Sequence, residues 1–123
     1  MSKSIRDNCP KSMTECASKL LPVKDALDIL SGKWKIPIIV SLSFGPKRFK
    51  VIQREVTGIT AKMLSKELRD LEVNQLVSRT VYDTKPVAIE YDLTKYGDSL
   101  QDLIAALGNW GALHRKKIIG KRA

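Results

Sequence analysis

Histidine is nearly missing from this chain: His114 is the only one among 123 residues. One imidazole near the C-terminal end supports no Ser-His-acid set. Together with two cysteines, Cys9 and Cys16, it is too small a stock of soft ligands for a zinc site within one subunit. No Gly-rich phosphate loop and no metal-ligand spacing occurs either. The sequence therefore implies no catalytic residues, no metal and no cofactor, and a protein that is not an enzyme. Two cysteines make no disulfide framework, which fits a reducing compartment. Long apolar runs are also missing. The longest, Ile36 to Val40, contains Pro37 and falls far below the roughly 20 residues a membrane span needs. Met1 to Asn8 lacks the apolar segment of a signal peptide. The cytoplasm is the expected location, with no membrane partner. Aromatic residues are 6% of the chain and fall mostly at core-spaced positions, which argues against the stacking platforms that grip single-stranded RNA.

What the chain has in excess is positive charge: 22 Lys and Arg against 13 Asp and Glu, a formal +9. On a chain long enough for one domain and too short for two well-packed ones, such an excess favours a polyanionic partner, and nucleic acid is the usual one. A membrane surface is the rival, but the basic residues are spread along the chain with no strongly apolar anchor beside them. Hydrophobic content of 43% and charged content of 28% fit a folded domain.

The most informative stretch is Gly58 to Glu72. Thr60 can cap the first free N–H groups of a helix, and Ile59 is spaced to staple onto Leu64. From that start Leu64, Leu68 and Leu71 share one stripe, while Lys62, Ser65, Lys66 and Arg69 share the opposite one. An inner apolar face with outward cations and hydroxyls is what a helix needs to sit in the DNA major groove. An ordinary solvated amphipathic helix has the same pattern, so its neighbours decide. Upstream, Phe49 to Val56 reads as a short helix with Phe49, Ile52 and Val56 inward, and Thr57-Gly58 as the turn between the two: a helix-turn-helix. From Lys47 to Lys66 the basic residues Lys47, Arg48, Lys50, Arg54, Lys62 and Lys66 face Glu55 alone, a local electrostatic footprint.

Ahead of this unit, Pro22 suits the first turn of a short helix through Leu30, which Gly32 ends. A nearly all-apolar core helix is expected from Trp34 or Lys35 to Ser43, with Pro37 in its first turn or kinking it. After the unit, Leu76 to Tyr82 is rich in β-branched residues, and Ala88 to Leu93 alternates cleanly. Asp83 to Val87 is the turn between them. The expected product is a β-hairpin wing, with Arg79 on its first strand and Lys85 at its tip suited to DNA backbone or minor-groove contacts.

Thr94 caps an expected long helix from Lys95 to about Lys117, along which Leu100, Leu103, Ile104, Leu107, Trp110 and Leu113 recur at threes and fours. A seam of that length can pack back on its own domain or meet a second subunit; with a core helix already present, the second subunit is preferred. Gly97, Gly108 and Gly111 in this segment suggest close backbone approach. The thiols leave two readings open. They are bystanders, or one of them senses oxidants, its thiolate favoured by Lys3, Arg6, Lys11 and Lys19. If the chain is helical from Lys11 onward, Cys9 and Cys16 stand about 10 Å apart along its axis, too far for a direct bridge.

Five ordered blocks, Gly32-Lys33-Trp34-Lys35, Gly45-Pro46-Lys47-Arg48-Phe49, Gly58 to Leu64, Glu67 to Glu72 and Tyr91 to Gly97, together resemble the HxlR-type winged-helix transcriptional regulators, a branch allied to the MarR regulators. The resemblance covers about residues 22 to 113. It implies a homodimer built on the terminal helices, with one recognition helix per subunit in the major groove and a wing alongside. Many members of that family carry a Cys-Pro pair before the first core helix, and some use that thiol to sense oxidants or electrophiles; the matching place here reads Leu21-Pro22, and Cys9-Pro10 lies upstream. Ala61 stands where relatives often have a polar residue.

The expected architecture is mainly α with a small β wing, an α+β winged helix-turn-helix. Residues 1–20 form a flexible basic arm, 21–93 the DNA-binding domain, and 94–123 a C-terminal dimerisation helix and basic tail of the same compact domain. The expected function is sequence-specific transcriptional regulation by a homodimer on a near-palindromic stretch of double-stranded DNA; if a thiol senses oxidants or electrophiles, Cys9 and Cys16 are the candidates. The expected DNA-facing residues are Lys47, Lys50, Thr60, Ala61, Lys62, Ser65, Lys66, Arg69, Arg79 and Lys85. The alternative is a winged helix used for protein–protein assembly.

Overall fold

The computed structural model describes residues 13–122. The chain divides after Gly32 into two compact units. The first holds one helix, α1 (Met13–Leu30). Pro22 does not begin this helix, as its affinity for first turns suggested, but lies inside it. Glu15, Ala17, Lys19, Leu20 and Leu21 are all good helix formers, and they carry the helix through the proline from the N-terminal side. Residues 13–20 of the expected arm are thus helical, and residues 1–12 lie outside the described residues. Leu20, Leu21, Val23 and Leu27 are exposed along α1.

The second unit comprises α2 (Lys35–Leu42), β1 (Lys47–Arg48), α3 (Phe49–Glu55), α4 (Ala61–Val73), β2 (Val77–Tyr82), β3 (Ala88–Leu93), α5 (Lys95–Asp98) and α6 (Gln101–Arg122). Pro37 falls in the first turn of α2, where a missing N–H does no harm. The rest of α2 supplies Ile38, Ile39 and Leu42 to a core completed by Ile52, Val56 and Ile59 and by Leu64, Leu68 and Leu71 of α4. Helix α4 begins at the expected residue because the Thr60 hydroxyl accepts the Met63 N–H at 3.1 Å. Ile59 and Leu64 are both buried, as a staple requires. In the turn between α3 and α4, Gly58 adopts φ 93°, a left-handed value that an L side chain takes only under strain.

Strands β2 and β3 form the expected antiparallel hairpin, in register from Val77 opposite Leu93 to Tyr82 opposite Ala88. The sheet has a third strand that sequence reasoning did not expect: β1 joins the other edge of β3, with Lys47 opposite Tyr91 and Arg48 opposite Glu90, giving the order β1-β3-β2. Two residues are too few to display a period, so nothing local announces such a strand. The architecture is the expected one, mainly helical with a small antiparallel wing.

The C-terminal segment is not one helix from Lys95. Four residues of α5 end in a tight turn, in which Ser99 donates to the Tyr96 carbonyl and Leu100 to that of Gly97, each at 3.1 Å. These i to i+3 bonds interrupt the α-helical ladder before α6 begins. Along α6, Leu103, Leu107, Trp110 and Leu113 are exposed, while Leu100, just ahead of it, and Ile104 are half-buried.

Candidate nucleic-acid interface

Helix α4 is held from its inner side by more than leucines. Glu67, on that face, accepts a hydrogen bond from Lys35 Nζ of α2 at 2.6 Å, and Asp70 stands 3.5 Å from the same ammonium. Burial opposes the Lys35 charge, but the hydrogen bond and Coulomb attraction of Glu67, with Asp70 adding to both, outweigh it and hold its pKa above the ordinary lysine value. The two side chains are only 14% and 12% exposed, so the pair works in a partly dry setting and fixes the rotation of α4 about its axis. Sequence reasoning missed this tie because its partners lie 32 positions apart.

With the inner face fixed, the outer face of α4 presents Ala61, Lys62, Lys66 and Arg69 to solvent and Ser65 half-buried beside them. Arg69 Nη2 donates to Ser65 Oγ at 3.4 Å, and Lys66 reaches Asp70 at 3.5 Å. Both are exposed and weak enough to be exchanged for contacts to an anion. The first turn of α4 holds no acidic residue, and Thr60 satisfies only the Met63 N–H. The positive end of the helix dipole therefore faces outward undiminished, as a phosphate-binding helix N-terminus requires.

The wing adds a second cationic element. Arg79, exposed on β2 opposite Tyr91, shares a polar recess of about 370 Å³ with Ser65, Leu68, Arg69, Glu72 and Tyr91. Arg69 and Arg79, 10 positions apart on different elements, are thus brought to one concavity between helix and wing. Lys85 is exposed in the turn of the wing, and Lys50 is exposed on α3.

Lys47 is placed elsewhere. Its ammonium pairs with Glu55 and lies 3.5 Å from the buried Ser41 hydroxyl, which itself donates to Glu55 at 2.8 Å. The hydrogen bonds from Lys47 and Ser41 hold the Glu55 carboxyl below its ordinary pKa. Strand β1 accounts for the discrepancy. Pairing with β3 sets the backbone at Lys47, and the side chain turns inward to 14% exposure, away from the surface on which sequence reasoning put it.

Of the expected subunit-contact residues, Leu103, Leu107, Trp110 and Leu113 form an exposed apolar row on α6, with the His114 ring stacked on Trp110 at 5.1 Å between centroids, while Leu100 and Ile104 are half-buried. Of the thiols, Cys16 lies in the first turn of α1 and is disulfide-bonded, and Cys9 lies outside the described residues. Among the described residues no group of three or more His, Cys, Asp or Glu is placed to hold a metal ion, and no helix is long and apolar enough to cross a membrane.

The sequence and fold are similar to those of known proteins. The profile of a family described as HxlR-like helix-turn-helix matches residues 29–118. The uncharacterized HTH-type transcriptional regulator YtcD of Bacillus subtilis (strain 168) is 38% identical over 100 residues, covering 81% of this chain and 79% of that protein. The redox regulator HypR in its reduced form superposes with a TM-score of 0.75 at 35% identity, over 80% of this chain and 98% of HypR. A transcriptional regulator of the MarR family from Enterococcus faecalis V583 superposes with a TM-score of 0.73 at 34% identity, over 82% of this chain and 92% of that one.

Proposed function

The chain belongs to the HxlR-like helix-turn-helix family, and from that premise we propose that it is a homodimeric, sequence-specific DNA-binding transcriptional regulator, cytoplasmic and without enzymatic activity. The observation that carries this reading is α4 itself: a capped helix, clamped by Lys35 and three leucines on one side, with Lys62, Lys66 and Arg69 exposed on the other. Lys62, Ser65 and Lys66 enter the major groove, with Ala61 offering a methyl contact at most. Thr60 and the helix N-terminus meet a phosphate, and Lys50, Arg79 and Lys85 hold register on the backbone. Residues 21–93 do the reading, and the helix after residue 94 pairs two copies through Leu100, Leu103, Ile104, Leu107, Trp110 and Leu113. Two-fold symmetry then asks for a near-palindromic site with half-sites about 34 Å apart or a multiple of that.

Oxidation of the N-terminal cysteines modulates that occupancy. Its support is the redox regulator HypR among the similar structures and the bonded state of Cys16.

Replacing Lys66 by Ala tests the reading through salt dependence of binding to duplexes selected from genomic fragments. If Lys66 meets phosphate, affinity falls alike on all sequences and the log–log salt slope drops by about 1. If it meets a base edge, about 1–3 kcal/mol of discrimination is lost at one base pair. Wild-type binding with no salt dependence points instead to a protein–protein assembly module.

A further inference from the structure

The end of α4, the base of the wing and the start of the C-terminal segment meet at one place. Helix α4 closes with the Asn74 side-chain amide donating to the Asp70 carbonyl at 2.9 Å, and the chain then turns through Gln75 at φ 64°. Leu76 N–H returns to the Leu71 carbonyl at 3.0 Å, so the turn is bonded to the helix it leaves. Thr94 grips this turn from the other side. Its N–H donates to the Leu76 carbonyl at 3.0 Å, and its hydroxyl donates to the Gln75 carbonyl at 2.6 Å while accepting the Gly97 N–H at 2.9 Å. Gly97 is buried against the same spot. A Cβ at Gly97 would collide with the Leu76 carbonyl oxygen and stand 3.3 Å from Leu93 Cδ2. By contrast, a Cβ on Gly108 or Gly111 meets nothing within 4 Å in the single chain.

Every contact in this joint involves backbone atoms, so it has none of the slack of a long side chain. We infer that Thr94 and Gly97 are the spacing determinants of the protein. They lock the angle between recognition helix α4 and the helix that carries the subunit contact, and so set how many base pairs between half-sites one dimer accepts. This inference rests on the dimeric DNA-binding reading and adds to it a specificity that no base-contacting residue supplies. A methyl at Gly97 needs about 3.5 Å from its neighbours, so α5 must retreat by on the order of 1 Å. Over a lever of roughly 24 Å, about 16 helical residues at 1.5 Å each, such a shift at a joint roughly 10 Å across displaces the far end by about 2–3 Å. That approaches the roughly 3.4 Å rise of one base pair.

The experiment uses the full chain and its Gly97→Ala and Thr94→Val variants. Its probes are duplexes that the wild type selects from a random-sequence library, rebuilt with one or two base pairs added or removed between the half-sites. The wild type should favour its own spacing by about tenfold or more. Gly97→Ala should move the optimum by one base pair or flatten the preference to under about threefold, with dimer mass and binding to an isolated half-site unchanged. Thr94→Val, which keeps the shape and deletes both hydroxyl bonds, should flatten it less. It carries the test if Gly97→Ala does not fold. A residue that only stabilises the fold would lower affinity at all spacings alike and leave their ranking intact. Folded, dimeric variants with the wild-type ranking overturn the inference. A wild type that is monomeric, or that selects no sequence, fails the underlying reading instead.

Discussion

Two stretches of the second unit carry the same residue types at the same helical spacing and meet opposite fates. In α4, Leu64, Leu68 and Leu71 are at most 1% exposed, whereas in α6 Leu107 and Leu113 stand 48% and 68% exposed. Burying a leucine is worth about 1.5–3 kcal/mol, so the first row is satisfied within one chain and the second is a debt that a single chain leaves open. Periodicity tells which residues want to be covered. It does not tell by whom.

The largest expected effect that sharpens this contrast comes from the exposed row. Leu107→Asp should leave the circular dichroism and melting of the folded body nearly unchanged, since Leu107 is already 48% exposed in the single chain. It should nonetheless weaken self-association by about 3–5 kcal/mol, the cost of burying an unpaired charge, as read by sedimentation equilibrium. A variant that loses its own fold instead would place α6 against its own domain. Leu68→Ala, in the covered row, should do the reverse, lowering unfolding free energy by about 2–5 kcal/mol in denaturant titrations with self-association of the folded fraction intact. The smallest effect concerns pH. Because the Glu55 carboxyl is held below its ordinary pKa by Lys47 and Ser41, its contribution to stability is present above the ordinary carboxylate range and lost as pH falls through its lowered value. The stability gap between wild type and Glu55→Gln should therefore be open at neutral pH and close on acidification below about pH 4. A gap that is the same at both ends would show that the Lys47–Glu55 tie contributes nothing through charge.

The parts that were legible in the sequence are those whose cause is local. Thr60 caps the helix it precedes, the alternation from Ala88 to Leu93 makes a strand, and Gly58 marks the turn because its backbone angle asks for glycine. The outward face of α4 could be read for the same reason. Illegible parts depend on partners distant in sequence. Strand β1 exists because β3 accepts it, Lys35 turns inward because Glu67 waits there, and Lys47 leaves the cationic surface for Glu55. Gly97 stood out as a site of close approach, yet which backbone approaches it, that of Leu76, only the fold reveals. The recess uniting Arg69 with Arg79 likewise needs the wing folded against α4.

The central claim is that paired copies present two α4 helices to one duplex. Hydroxyl-radical footprinting on a wild-type-selected duplex, with the mass of the complex measured in the same solution, tests it most directly. The account predicts two protomers per duplex and two protected patches on one face of the DNA, about 34 Å apart or a multiple of that. A single patch under one protomer would contradict it.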